Sequence, residues 1–225
     1  MLSLDVREDP SVRDCLETIL ERAGRLDVVV NSAGYPLAGA VEEVTLEQAK
    51  ALFETNFFGV VRMVKAVLPV MRRQGSGQII NISSGMAQAR VPFVGFYSAS
   101  KCALEGYSEA LWHELRPLNI KVTVIRPGYF GTNIESNMRF GEERIADYDP
   151  WRKPTLQSYH ESLRKGADPA PVARCVLRIL KSPNPAPYYS VGKDARGVAL
   201  LRRLLPHAAF GRLIRRLIGF GKVND

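Results

Sequence analysis

Cysteine is scarce in this chain of 225 residues: there are three, Cys15, Cys102 and Cys175, odd in number and far apart. That excludes a disulfide framework and fits a reducing compartment, the cytoplasm. Histidine is equally sparse, and His113, His160 and His207 lack the spacing of a metal-ligand cluster. No apolar run is long enough to cross a bilayer. No linker, low-complexity run or internal repeat divides the chain, and 46% hydrophobic residues suffice for a sizeable core. A phosphate-binding glycine turn between a strand and a helix is missing as well: Gly75-Ser76-Gly77 precedes a strand instead of following one.

What is present alternates. Helical patterns at 10–23, 45–73, 93–115 and 169–180 separate strand-like runs at 26–30, 78–83, 121–125 and 188–191, the pattern of an α/β domain with a parallel sheet. The run from Leu26 to Val30 reads as a strand buried on both faces. Pro69 predicts a bend or early end in the second helix. The segment 133–165 reads as irregular and rich in charged and aromatic residues.

Charge is uneven. Up to Pro150 there are 16 Lys and Arg against 19 Asp and Glu; beyond it there are 15 against 4. The basic tail has a helical period, with Phe210, Leu213, Ile214, Leu217 and Ile218 on one side and Arg212, Arg215 and Arg216 on the other. Such a helix can lie at an anionic membrane surface, or pack on the enzyme body or a second subunit. Nucleic acid is not an expected partner, since no recognised module or stacking platform accompanies the charge. The expected division is a domain over 1–193 and a basic amphipathic extension over 194–225.

The chemistry is concentrated at Tyr97-Ser98-Ala99-Ser100-Lys101, with Ser84 thirteen residues before the tyrosine. Residues four apart share one helix face, so the Tyr97 hydroxyl and the Lys101 ammonium can sit over one substrate. A neighbouring cation favours the phenolate, so Lys101 is expected to lower the tyrosine pKa toward the range of a general base. Ser84 closes a strand, and a hydroxyl at a strand's carboxyl end faces the crevice where open α/β sheets bind ligands. A second Tyr-x-x-x-Lys, Tyr189 to Lys193, lies in an extended run where residues four apart stand about 13 Å from one another.

In this order, Leu4-Asp5-Val6, Asn31-Ser32-Ala33-Gly34, Thr55-Asn56-Phe57-Phe58-Gly59, Asn81-Ile82-Ser83-Ser84, Tyr97 to Lys101, and Pro127-Gly128 followed by Thr132 resemble the classical short-chain dehydrogenase/reductases. The resemblance covers roughly residues 2–132. It implies a Rossmann-type doubly wound parallel sheet and an NAD(P)-dependent oxidoreductase that interconverts an alcohol and a ketone or aldehyde. It also implies roles: Tyr97 as acid/base, Lys101 as pKa modulator and donor to the nicotinamide ribose, Ser84 as the residue that orients the carbonyl, and Asn56 as holder of a relay water. For the cofactor, NAD or NADP, it implies Asp5 at the adenine amino group, Asn31, Ala33 and Gly34 on the adenosine side, and Pro127, Gly128 and Thr132 at the nicotinamide. The tail and the loose likeness to steroid- and retinol-type enzymes make a lipophilic substrate the expectation.

That family opens with a strand, a glycine-rich turn and a helix that receives the pyrophosphate. Here the matching words begin at what would be the third strand, so the first two strands and their helices are expected to be absent. Two explanations compete: Met1 is an internal methionine of a longer enzyme, which the full set of active-site residues favours, or the chain is a catalytically silent truncated relative that binds partners or membranes. Either way Leu26 to Val30 is expected at an exposed sheet edge.

Overall fold

The computed structural model describes residues 2–218 and 220; Met1 lies outside them. The main sheet has four parallel strands, β1 (Val28–Asn31), β3 (Gly77–Ile82), β4 (Ile120–Pro127) and β6 (Tyr188–Val191), in the order β1-β3-β4-β6. Register is continuous, with Asn31 beside Asn81, Ile79 beside Val122 and Val124 beside Tyr188. A small parallel pair, β2 (Leu37–Ala38) with β5 (Arg139–Phe140), ties the segment after β4 back to the body.

Alternation along the strands sends side chains to two cores. Ile79 and Val122 join Val29, Val64, Val67, Leu104 and Leu111 on the face covered by α1 (Asp9–Ala23), α3 (Gly59–Gln74) and α5 (Gly95–Leu115). Ile80 and Ile125 face Cys175 and Ile179 of α7 (Ala170–Lys181) on the other. Helices on both faces of a parallel sheet make this a Rossmann-type α/β fold.

The helix read over 45–73 begins where expected. Thr45 caps α2 (Leu46–Phe53): its hydroxyl accepts from the Gln48 N–H, and the Gln48 side chain accepts from the Thr45 N–H. A π-helical stretch, Glu54–Phe58, joins α2 to α3 without a break. Pro69 does not end α3, which runs on to Gln74 and stops at Gly75 with φ 65°. Buried Val67, Val70 and Met71 hold the turn around it, and their packing outweighs the lost backbone hydrogen bond.

Two expectations are corrected. The first strand is not buried on both faces: Val29 and Asn31 are buried, whereas Val30 is 42% exposed at the open edge of the described sheet. The segment 133–165 is not irregular, because it contains α6 (Asp149–Arg164). The face that α6 buries is Arg152, Thr155, Tyr159 and Leu163, a stripe too polar to show as hydrophobic periodicity. A short α4 (Met86–Ala89) follows β3, and α8 (Lys193–Leu204) and α9 (His207–Leu217) close the described chain. Phe210 and Ile214 of α9 are buried in the same apolar cluster as Tyr97 and Tyr159.

Candidate active site

Ser84 follows β3, and Tyr97 and Lys101 lie one turn apart near the start of α5. All three line one cavity of about 880 Å³ at the carboxyl ends of the strands. The Ser84 hydroxyl hydrogen-bonds the Tyr97 phenol and also accepts from the Met86 N–H at 3.1 Å. The Lys101 Nζ donates to the Ile82 carbonyl at 3.0 Å and stands 5.9 Å from the centre of the Tyr97 ring.

The expected direction of the tyrosine shift is corrected. Burial raises the Tyr97 pKa, and the Ser84 hydrogen bond pulls it the other way without cancelling the effect. The phenol is therefore held as an acid. Lys101 is itself pushed down to about 8 by burial, against the opposing pull of the Glu105 carboxylate. Sequence spacing places the ammonium but cannot report the desolvation that dominates both groups.

Asn56 is completely buried in the π-helical stretch, where the widened turn aims its amide inward. Its Oδ1 accepts from the Tyr35 N–H at 3.0 Å. Its Nδ2 donates to the Tyr35 carbonyl at 3.0 Å and to the Ser100 hydroxyl at 3.1 Å. Ser100 donates in turn to the Tyr97 carbonyl at 2.8 Å. The amide thus pins the turn after β1 to the helix that carries Tyr97.

Gly34, Pro127, Gly128 and Thr132 line the same cavity. A Cβ at Gly34 would stand 2.9 Å from Asn56 Oδ1 and 3.5 Å from Lys101 Nζ, so bare backbone is required beside the ammonium. A buried ammonium, a glycine backbone and the Thr132 hydroxyl on one cavity fit the nicotinamide-ribose end of a dinucleotide. Asp5, Asn31 and Ala33 are not brought to this cavity. The Asp5 carboxylate accepts from Arg7 at 2.6 Å, which holds it down at about 2. Asn31 donates to Asn81 at 2.8 Å, and Asn81 to Ser108 at 2.8 Å, joining β1, β3 and α5 below the site. Ala33 is exposed.

Sequence reasoning missed several groups. Glu105 accepts from Ser83 Oγ at 2.7 Å and from Arg126 Nη2 at 2.7 Å, clamping β3, α5 and β4 beneath Lys101. Its position four residues after Lys101 was a legible signal. Asp194, at the start of α8, accepts from the Tyr129 N–H at 2.7 Å and fills the space where Gly128 would carry a Cβ. Tyr129 and Tyr159 complete the cavity wall. No signal in sequence connects Tyr159 or Asp194 to the strand ends.

The family model for short chain dehydrogenase matches residues 1–143. The chain is 42% identical over 187 residues to the 3-ketodihydrosphingosine reductase of Bacteroides thetaiotaomicron, covering 82% of this chain and 70% of that protein. It is 38% identical over 192 residues to human retinol dehydrogenase 8, covering 81% of this chain and 60% of that protein. Among solved structures, a short-chain dehydrogenase from Streptomyces avermitilis superposes with TM-score 0.80 and 34% identity, covering 99% of this chain and 81% of that one.

Proposed function

The chain belongs to the short-chain dehydrogenase family, and from that membership we propose that it is an NAD(P)-dependent oxidoreductase acting on a lipophilic ketone, aldehyde or alcohol. The observation that carries the reading is the Ser84–Tyr97 hydroxyl pair with Lys101 in one cavity whose remaining walls are largely apolar. Relatives named for 3-ketodihydrosphingosine and for retinol support the lipophilic class.

When bound, the nicotinamide cofactor supplies or accepts the hydride. Gly34, Lys101, Pro127, Gly128 and Thr132 are the residues that would hold its reactive end. Ser84 orients the substrate oxygen by hydrogen bond. Tyr97, kept protonated by burial, gives its proton to that oxygen, or receives one in the reverse direction. Lys101 stabilises the phenolate left behind, one helical turn away. Asn56 keeps the turn at Gly34 and the start of α5 in register with each other.

The apolar faces of α8 and α9 supply Val198, Leu201 and Ile214 to the cavity wall. Leu200 and Leu204 point outward among arginines, and this outer surface is where a bilayer carrying an apolar substrate would meet the enzyme. Three free cysteines suit a reducing compartment.

The test is oxidation of reduced cofactor with a long-chain ketone. Tyr97→Phe is expected to cut kcat by about 10²–10⁴-fold, the usual worth of positioned proton transfer. Unchanged turnover in that variant overturns the assignment.

A further inference from the structure

Tyr129 follows the Pro127-Gly128 turn at the end of β4, and Tyr159 comes from α6, far away in sequence. Their rings meet edge to face, with centres 5.8 Å apart and planes at 72°. Both line the cavity that holds Ser84 and Tyr97, and Tyr97 and Tyr159 share one packed cluster. Tyr159 is only 6% exposed. Neither the Tyr129 nor the Tyr159 hydroxyl has a hydrogen-bond partner among the described residues, and neither is sealed away from the cavity. Water in the open cavity can match such a hydroxyl, but a ligand that displaces the water leaves it unmatched, at a cost of about 1–3 kcal/mol, unless the ligand brings a polar group of its own. A pair of them beside a proton-donating tyrosine calls for a polar group on whatever fills the space.

The geometry points to Tyr129 and Tyr159 as a second polar subsite, which binds a hydroxyl or amino group carried close to the reacting carbon of a lipophilic ketone or alcohol. This deepens the oxidoreductase reading and rests on it for the location of the reacting carbon. The rest of the wall divides the ligand in the same way. Met86, Val91, Leu163, Leu201 and Ile214 offer nothing to a polar group. The apolar remainder of the molecule therefore lies along these side chains and the inner faces of α8 and α9, and its polar atoms gather at the tyrosines. Burial raises Tyr129 to about 12 and Tyr159 well above its ordinary value, so both stay neutral hydroxyls able to donate or accept. A hydrophobic pocket rejects an added hydroxyl weakly, whereas a site built to hydrogen-bond one rejects the analogue without it strongly.

The experiment compares a long-chain methyl ketone with its hydroxymethyl counterpart, by turnover with reduced cofactor and by calorimetric binding. The wild type is expected to favour the hydroxymethyl ketone by about tenfold or more in kcat/KM and in affinity. Tyr159→Phe and, separately, Tyr129→Phe are expected to bring both ratios toward one. The ratio within each variant is independent of how much of that variant is folded, and melting temperatures check the folds. A ratio near one in the wild type, or one that survives both substitutions, overturns the subsite. Absent turnover with a retained binding preference that each variant loses sinks the oxidoreductase reading and leaves the subsite standing.

Discussion

Lys101 shows what the site costs the fold. The residue is 6% exposed, its ammonium makes one hydrogen bond to the Ile82 carbonyl, and burial pushes its pKa down to about 8 from the 10.5 of an ordinary lysine. Below pH 8 the folded chain bears the full penalty of a buried charge, roughly 3 kcal/mol at one pKa unit per 1.36 kcal/mol. Between about 8 and 10.5 the unfolded chain still holds the proton that the folded chain has released, so stability contributed by this residue rises with pH. Lys101→Met removes the titration. Unfolding free energies of wild type and variant, measured by denaturant from pH 7 to 10, are expected to change relative to each other, the wild type gaining roughly 2.5 kcal/mol on the variant over that range. A difference that stays constant across that range contradicts the buried charge. Spacing alone pointed to Ser84, Tyr97 and Lys101, because a strand end and one helical turn fix where such side chains fall. The electrostatics were not legible there, since burial is set by elements that lie far away in sequence.

Among the elements, α6 is the one whose sequence conceals it and whose anchoring is polar. It brings Ser158, Tyr159, Ser162 and Leu163 to the cavity, yet contains Pro154 and buries only one aliphatic residue, Leu163. What holds it is the Arg152 guanidinium, paired with the Glu43 carboxylate and with Asp149. Glu43 is almost completely buried and also accepts from the Ala40 N–H at 2.9 Å and the Ile145 N–H at 2.9 Å. Glu43 lies 109 residues before Arg152, a pairing no local pattern announces. Strands β3 and β4 were legible because a sheet buried between helices leaves apolar runs. Arg152→Met strands a buried carboxylate and is expected to destabilise the protein by about 3–5 kcal/mol. Glu43→Gln, whose single amide oxygen can keep the Ile145 N–H and Arg152 but turns an NH2 toward the Ala40 N–H, is expected to cost less, about 1–3 kcal/mol for the one unmatched group. Urea unfolding of the two variants checks the order. A loss for Arg152→Met below about 1 kcal/mol, the scale of an exposed ion pair, contradicts the anchoring role.

At the scale of the whole molecule, the basic excess after Pro150 and the active-site cavity share the same helices. The tail's apolar stripe is divided between two surroundings. Phe210 and Ile214 face inward against the cluster around Tyr97, so they contribute to the enzyme body. Leu200 and Leu204, one turn apart on α8, remain 58% and 67% exposed beside Arg202 and Arg203. Deleting both helices would strip a wall from the cavity and confuse a folding defect with a lost membrane contact. Leu200→Ser/Leu204→Ser alters only the outer face. Transferring a leucine side chain fully out of water yields about 1.5–3 kcal/mol, so even partial insertion of two gives roughly a tenfold difference in partition. In flotation with phosphatidylserine-containing vesicles, the wild type is expected to bind and to release as salt rises, while the double variant binds about tenfold more weakly with an unchanged melting temperature. Equal flotation of the two proteins would remove the bilayer as the source of substrate. The inward half of the stripe would then be the whole function of the tail.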